Sequence, residues 1–151
     1  MKSLISKLNQ HEALISVIGL GYVGLPLACA LSESGFSVTG IDLDKTKVDN
    51  LNKGKSHIPD ISDLTIAALT EQKANTGKGF IATNKFDGIS NSDVVIICVP
   101  TPLRKTKEPD ITFIVSATNK IAKHITNNTL VVLESTTYPG TTNEILYQNI
   151  I

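Results

Sequence analysis

Three glycines near the start of the chain have the spacing G-x-G-x-x-G. They are Gly19, Gly21 and Gly24, in the run VIGLGYVG that covers residues 17–24. Because glycine tolerates positive φ and close backbone approach, such a loop before a helix can receive a phosphate group. Asp42 follows the last glycine by 18 residues, close to the roughly 20 expected for a carboxylate that hydrogen-bonds a ribose. These features together predict a dinucleotide-binding loop.

Each position of this motif has its own expected role. The first glycine permits the tight turn, the second lets the backbone approach a pyrophosphate, and the third lets the helix pack closely on the strand. The charge of Asp42 repels a 2′-phosphate, which favours NAD over NADP, although Lys45 and Lys47 follow closely. The predicted cofactor is therefore a nicotinamide dinucleotide, preferably NAD. The alternative is that the glycines form only a turn and that Asp42 only caps the end of a strand.

Four short apolar runs predict the strands that position this loop. They contain many β-branched residues and are almost continuously hydrophobic, as expected for parallel strands covered on both faces. Their alternation with helical stretches predicts an α/β fold, a Rossmann-type doubly wound parallel sheet in a single domain. The predicted strands are residues 14–19, 37–42, 93–100 and 129–135, and the predicted long polar loops are residues 54–65 and 101–110.

Helices are predicted where apolar residues recur at helical intervals. After the glycine loop, this spacing is shown by Val23, Leu27, Ala30 and Leu31, and the helix is expected to end at Gly35. Two further helices are predicted over residues 43–54, with Val48 and Leu51, and over residues 110–125, with Ile111, Ile114, Val115, Thr118 and Ile121 on one face.

Composition argues against several classes of function. Lys plus Arg and Asp plus Glu are both 14, so the chain has no basic footprint for nucleic acid or a membrane surface.

Cys29 and Cys98 lie in apolar runs, which predicts buried side chains and neither a disulfide nor a reactive thiol. His11, His57 and His124 are too far apart to suggest a metal site. A cytoplasmic location is expected, because no signal peptide and no apolar run of about 20 residues is found.

Four motifs occur in a fixed order along the chain: VIGLGYVGLPLA, GIDLDKTKVDNLNKG, CVPTP with EPDIT, and ESTTYPGTT. Together they resemble the N-terminal domain of the UDP-glucose/GDP-mannose dehydrogenase family. The last motif is most similar to the UDP-N-acetylglucosamine and UDP-N-acetylgalactosamine 6-dehydrogenase branch. The resemblance implies an NAD-binding Rossmann domain at residues 14–151, preceded by an N-terminal helical extension at residues 1–13.

The resemblance also implies which residues meet the cofactor. Residues of the glycine loop wrap the pyrophosphate, Asp42 and Lys47 hold the adenosine ribose, and two later strand ends line the cofactor and approach the nicotinamide. Thr136 is the catalytic candidate, and no metal ligand is expected. The implied cofactor-binding residues are Gly19, Gly21, Tyr22, Val23, Gly24, Asp42, Lys47, Val99, Pro100, Thr101, Ser135 and Thr136.

The family oxidises the C6 alcohol of a nucleotide sugar to a carboxylate in two NAD-dependent steps, through a covalent adduct on a cysteine. That cysteine belongs to a C-terminal substrate domain that follows a central helix, and both are expected to be absent from this chain. None of Cys29, Cys98 and Glu134 lies in a motif that would assign it a catalytic role of this family. The expectation is therefore the NAD-binding domain of a UDP-sugar 6-dehydrogenase for bacterial surface polysaccharide biosynthesis, homo-oligomeric at full length, that binds NAD without catalysis on its own.

Two other functions stay open at this point. One is the cofactor domain of a β-hydroxyacid dehydrogenase, which also has a Rossmann unit, and the other is a non-enzymatic nucleotide-sensing Rossmann module. The runs GYVGLPLA and STTYPG count against them.

Overall fold

A five-stranded sheet forms the centre of the computed structural model, which describes residues 2–150. The strands are Leu14–Ile18 (β1), Ser37–Ile41 (β2), Gly79–Thr83 (β3), Val94–Ile97 (β4) and Leu130–Leu133 (β5). Their order is β3-β2-β1-β4-β5, and every neighbouring pair is parallel. The chain builds one half of the sheet outward from β1 and then returns beside β1 to build the other half. The predicted doubly wound Rossmann-type fold is thus confirmed.

Helices cover both faces of this sheet. They are Leu4–Asn9 (α1), Gly24–Glu33 (α2), Lys45–Asn52 (α3), Asp63–Thr76 (α4), Thr112–Ala122 (α5) and Gln148–Ile150 (α6), with a 3₁₀ helix at Asp87–Asn91 and a π-helical segment at Thr142–Tyr147. Because side chains alternate along a strand, Ile15 and Val17 of β1 pack with α2, α3 and α4. Ile18 and Ile97 face the opposite side and pack with α5. Two hydrophobic layers therefore hold the edge of the sheet at which the strands end.

The buried face of α2 differs from the face that the sequence spacing suggests. Leu25, Ala28 and Cys29 are buried, whereas Val23 and Ala30 are exposed. The other two residues of the predicted stripe are only half-buried. The close contact of Gly24 with the glycine loop at the start of the helix sets which residues face the sheet.

Strand β3 and helix α4 were not predicted from the sequence, nor were the 3₁₀ helix, the π-helical segment and the short α6. Strand β3 is an edge strand with only three consecutive apolar residues, too short a run to be distinguished from a loop. Helix α4 begins at Asp63, so the loop predicted over residues 54–65 is wrong in its last three residues. Only Ile66 and Leu69 of its 14 residues are buried, which leaves little periodicity for a sequence pattern to show.

Helix α1 is attached to the sheet by a charge pair and by apolar contacts. The ammonium of Lys7 pairs with the carboxylate of Asp93, which also accepts a hydrogen bond from the backbone N–H of Leu14 at 2.9 Å. Leu4 and Leu8 pack against the first hydrophobic layer. Met1 and Ile151, the outer limits of the predicted segments 1–13 and 14–151, lie outside the described residues, and this division stays a prediction.

Candidate functional site

A cavity of about 810 Å³ lies at the C-terminal edge of the sheet. Its walls are the segments that follow β1, β2, β4 and β5, with β1 and β4 adjacent at the point where the strand order reverses. In open parallel sheets this crevice is where ligands bind. Eleven of the twelve predicted cofactor-binding residues line it, and they are Gly19, Gly21, Tyr22, Val23, Asp42, Lys47, Val99, Pro100, Thr101, Ser135 and Thr136.

The first two glycines of the loop meet different requirements. Gly19 has a φ of +91°, and a side-chain Cβ there would lie 2.8 Å from the carbonyl oxygen of Cys98. Its N–H donates to the carbonyl of Ile41 at 2.7 Å, which ties the turn to β2. At Gly21, by contrast, an added Cβ would meet no atom within 4 Å. The backbone is therefore open to the cavity at the position where a pyrophosphate is expected to approach it.

Gly24 is the predicted residue that does not line the cavity. An added Cβ would lie 1.7 Å from the carbonyl oxygen of Gly19, so no other residue fits while α2 begins here. Gly24 serves the packing of helix on strand, the role that the motif assigns to its third glycine.

The start of α2 leaves several backbone donors free. Its N-cap, Val23, makes no side-chain capping bond. Within the described part of the chain, the N–H groups of residues 21–24 donate no hydrogen bond, whereas the N–H of Leu25 donates to the carbonyl of Gly21 at 3.1 Å. Free donors and the positive end of the helix dipole favour an anion at this place. The residues present thus fit the pyrophosphate of a dinucleotide.

Asp42 lies at the end of β2 with both carboxylate oxygens fixed by the backbone. Oδ2 accepts a hydrogen bond from the N–H of Leu20 and Oδ1 one from the N–H of Asp44, each at 2.9 Å. Each oxygen keeps a free lone pair for a ligand hydroxyl. Asp44 in turn caps α3 and accepts from the N–H of Lys47 at 3.2 Å, which brings Lys47 to the same end of the cavity.

The opposite wall is formed by the chain after β4 and β5. The hydroxyl of Ser135 donates to the carbonyl of Val99 at 2.7 Å, so it joins the two strand exits and is already occupied. Thr101 and Thr136 line the cavity, and within residues 2–150 their hydroxyls have no hydrogen-bond partner. These two hydroxyls are the ones available to a ligand at this wall.

The cysteines are buried, as predicted, with exposed fractions of 2% for Cys29 and 7% for Cys98. Burial raises the pKa of both thiols to about 11, and the nearby carboxylates of Glu33 and Glu134 add to the rise. Both thiols are therefore protonated at neutral pH. Although Cys98 lines the cavity, it is not an activated nucleophile.

Several residues that line the cavity were not predicted as binding residues. Phe86 and Lys120 stack at one end, with the Lys120 ammonium 5.3 Å from the centre of the Phe86 ring. Phe113, in the first turn of α5, also lines it and could have been found, because α5 follows the exit of β4. Phe86 follows β3, which the sequence pattern does not show. His57 also lies at the cavity wall, with its Nε2 2.6 Å from the carbonyl oxygen of Leu20.

Two further findings concern metals and membranes. Among residues 2–150, no group of three His, Cys, Asp or Glu side chains is placed to hold a metal ion. The same residues contain no helix with the length and apolar character needed to cross a membrane.

Comparison with known proteins identifies the family. The NAD binding domain of the UDP-glucose/GDP-mannose dehydrogenase family matches residues 13–151. The chain belongs to this family. Family membership confirms the expected family and NAD as the cofactor of this domain, and it favours the nucleotide-sugar dehydrogenase over the two alternatives.

Three relatives show how much of a family member the chain represents. It is 37% identical over 135 residues to UDP-N-acetyl-D-mannosamine dehydrogenase of Escherichia coli, covering 88% of this chain and 30% of that protein. It is 38% identical over 134 residues to NDP-N-acetyl-D-galactosaminuronic acid dehydrogenase of Ralstonia nicotianae, covering 87% of this chain and 29% of that protein. A ternary complex of GDP-mannose dehydrogenase from Pseudomonas aeruginosa superposes with a TM-score of 0.78 at 37% identity, covering 90% of this chain and 31% of the other.

The chain thus spans about 30% of the length of the curated relatives that it matches. The names of the first two contain N-acetylated sugars, in agreement with the branch that the ESTTYPGTT motif predicts.

Proposed function

We propose that this chain is the cofactor-binding part of a UDP-sugar 6-dehydrogenase and that NAD binds in the cavity at the C-terminal edge of the sheet. The observation that carries the proposal is the meeting of eleven predicted cofactor residues in one cavity, at the reversal of strand order and beside the uncapped start of α2. The free donors there match a pyrophosphate, and the carboxylate at the end of β2 matches a ribose.

Each part of the cofactor has its own partners in this proposal. Gly21 and the free N–H groups that follow it receive the pyrophosphate, while Asp42 and Lys47 hold the adenosine ribose. The segment 99–101 lines the middle of the cofactor. Ser135 orders the wall beside the nicotinamide by its bond to the chain after β4.

The reaction belongs to the full-length protein in this proposal. Bound NAD supplies the hydride acceptor for oxidation of the sugar C6 alcohol to a carboxylate in two steps. The free hydroxyl of Thr136 lies at the nicotinamide end and orients the reacting sugar by a hydrogen bond. This chain binds the cofactor and leaves the nucleophilic step to other residues, since both of its thiols are held protonated. The UDP-sugar substrate is a further part of the proposal, supported by the name of the Escherichia coli relative. The cytoplasmic location, the homo-oligomer and the role in bacterial surface polysaccharide synthesis also belong to the proposal, and they rest on the resemblance to the family.

Calorimetric titration of the chain with NAD⁺ and, separately, with NADP⁺ tests the proposal. Binding that favours NAD⁺ is expected. Gly21→Ala places a methyl group in open space, so the fold should be unchanged while NAD⁺ affinity falls about tenfold or more, because the pyrophosphate can no longer approach. Gly88→Ala is the matched control, since its Cβ also meets nothing within 4 Å and Gly88 lies away from the cavity. A folded chain that binds neither nucleotide, or a Gly21→Ala variant that binds NAD⁺ like the parent, would overturn the proposal.

A further inference from the structure

His57 is presented to the cavity by a firmly held segment between α3 and α4. The next residue, Ile58, is buried in the first hydrophobic layer. Ser56 donates its N–H to the carboxylate of Asp63 at 2.8 Å and its hydroxyl to the carbonyl of Ile58 at 3.0 Å. A histidine between two such anchors keeps one orientation, even though the segment has no regular secondary structure.

The hydrogen bonds of the imidazole define its tautomer. Nε2 lies 2.6 Å from the carbonyl oxygen of Leu20, which can only accept, so Nε2 carries the proton. In the neutral ring Nδ1 is then an acceptor only, and it is buried with no hydrogen-bond partner among the described residues. Buried polar atoms are usually paired. The ring therefore donates a hydrogen bond to the carbonyl of Leu20, while Nδ1 has no hydrogen-bond partner in the described range 2–150.

Leu20, the residue between the first two glycines, is held at three points. Its N–H donates to Asp42 at 2.9 Å, and its carbonyl accepts from His57. Its side chain is fully buried and packs so closely on Gly40 that an added Cβ there would lie 2.7 Å from a Leu20 methyl group.

The carbonyl of Leu20 and the N–H of Gly21 belong to one planar trans peptide, in which they point in opposite directions. Whatever holds the carbonyl therefore also sets the direction of the Gly21 N–H, one of the free donors before α2. We propose that His57 is a positioning residue of the NAD site, which holds the Leu20 carbonyl and so aims the Gly21 N–H at the bound pyrophosphate. This inference rests on the proposed function.

The test compares ligands with and without a pyrophosphate. NAD⁺, ADP-ribose and AMP are titrated into the parent chain, His57→Ala, His57→Gln and the control His124→Ala, whose histidine lies outside the cavity. His57→Ala should bind NAD⁺ and ADP-ribose about tenfold more weakly and AMP within about twofold of the parent. His57→Gln, whose side-chain amide can donate to the same carbonyl, should recover most of the loss. A merely structural role would weaken all three ligands alike, and that result would overturn the inference.

Nuclear magnetic resonance of the ligand-free chain gives a second readout. The ¹⁵N shifts of His57 should show the Nε2–H tautomer, and the Gly21 amide resonance should move in His57→Ala and return toward its parent position in His57→Gln. An Nδ1–H tautomer, or a Gly21 amide unmoved in His57→Ala, would contradict the hold on the loop. If the parent chain binds none of the ligands, the proposed function is overturned and this inference with it. If the parent chain binds NAD⁺ and His57→Ala binds it equally tightly, the inference alone is overturned.

Discussion

Removal of the Asp42 carboxylate should weaken NAD⁺ binding by about 10- to 100-fold. Two hydrogen bonds to backbone N–H groups depend on this carboxylate, those of Leu20 and Asp44, each at 2.9 Å. A hydrogen bond to a charged group contributes about 1.5–3 kcal/mol, and the value falls toward the lower end for a half-exposed group that water can replace. Loss of the ribose contact and loosening of the glycine loop in Asp42→Ala together amount to about 1.5–3 kcal/mol, which gives the stated range.

The same carboxylate should set the preference between NAD⁺ and NADP⁺. A charge about 5 Å from a 2′-phosphate, at an effective dielectric constant of about 20, contributes about 3 kcal/mol of repulsion per unit charge before salt screening. Asp42→Ala and Asp42→Asn both remove this repulsion, so both should narrow the gap between the two nucleotides by about 100-fold or less. The asparagine keeps an acceptor oxygen for the N–H of Leu20, so it should retain more NAD⁺ affinity than the alanine.

Calorimetric titrations of the parent chain and both variants with each nucleotide, at one ionic strength, check these expectations. Asp49→Asn is the control, because Asp49 is an exposed carboxylate on the neighbouring α3 that pairs with Lys45 away from the cavity. If both Asp42 variants keep the parent ratio of NAD⁺ to NADP⁺ affinity, the carboxylate does not face the ribose. If the asparagine binds NAD⁺ more weakly than the alanine, the assigned bond to the glycine loop is wrong.

Two further predictions concern buried and half-buried groups. The double variant Cys29→Ala, Cys98→Ala should bind NAD⁺ within about twofold of the parent, since both thiols are protonated. It should lose about 1 kcal/mol of unfolding free energy per site in urea unfolding. A large loss of NAD⁺ affinity without a change in stability would contradict this prediction. Burial acts to raise the pKa of Asp93, but the hydrogen bonds from Lys7 and from the N–H of Leu14 outweigh it and lower that pKa. The ionised carboxylate therefore stabilises the fold above about pH 4, and this contribution is lost as pH falls through the lower folded-state pKa. The stability difference between the parent and Asp93→Asn in urea unfolding should shrink below about pH 4, and a constant difference down to pH 2 would refute the pairing.

The glycine loop and its carboxylate could be predicted because a regular unit separates them. The interval from Gly24 to Asp42 is the length of one helix, one turn and one strand, and such units vary little in length. Thr101 and Thr136 were assigned from the resemblance to the family, and both line the cavity because the segments that follow β4 and β5 meet at one edge of the sheet. For the glycine loop and Asp42, the hydrophobic pattern and the strand direction are sufficient to place the residues at this edge.

The inward face of α2 shows a different reason for failure. Helical spacing selected Val23 and Ala30 for the inward face, yet both are exposed, whereas Leu25, Ala28 and Cys29 are buried. Close packing of the helix start on the loop, which Gly24 permits, sets the rotation of the helix about its axis and so its inward face. Helix orientation here follows from a backbone contact that a hydrophobicity pattern does not record.

Leu20 has two hydrogen-bond partners, of which one could be predicted from the sequence and the other could not. Asp42 is separated from the glycine loop by a standard strand–helix–strand unit. His57 lies beyond α3, in an irregular segment whose course depends on the burial of Ile58 in the core and on the carboxylate of Asp63. Helix α4, which supplies that carboxylate, has too few buried residues to be visible as a pattern. Without α4 the position of His57 is undefined, and so is its bond to the loop. The loop conformation therefore depends on one contact that a motif specifies and on another that only the packed fold creates, and the two act on opposite ends of the same residue.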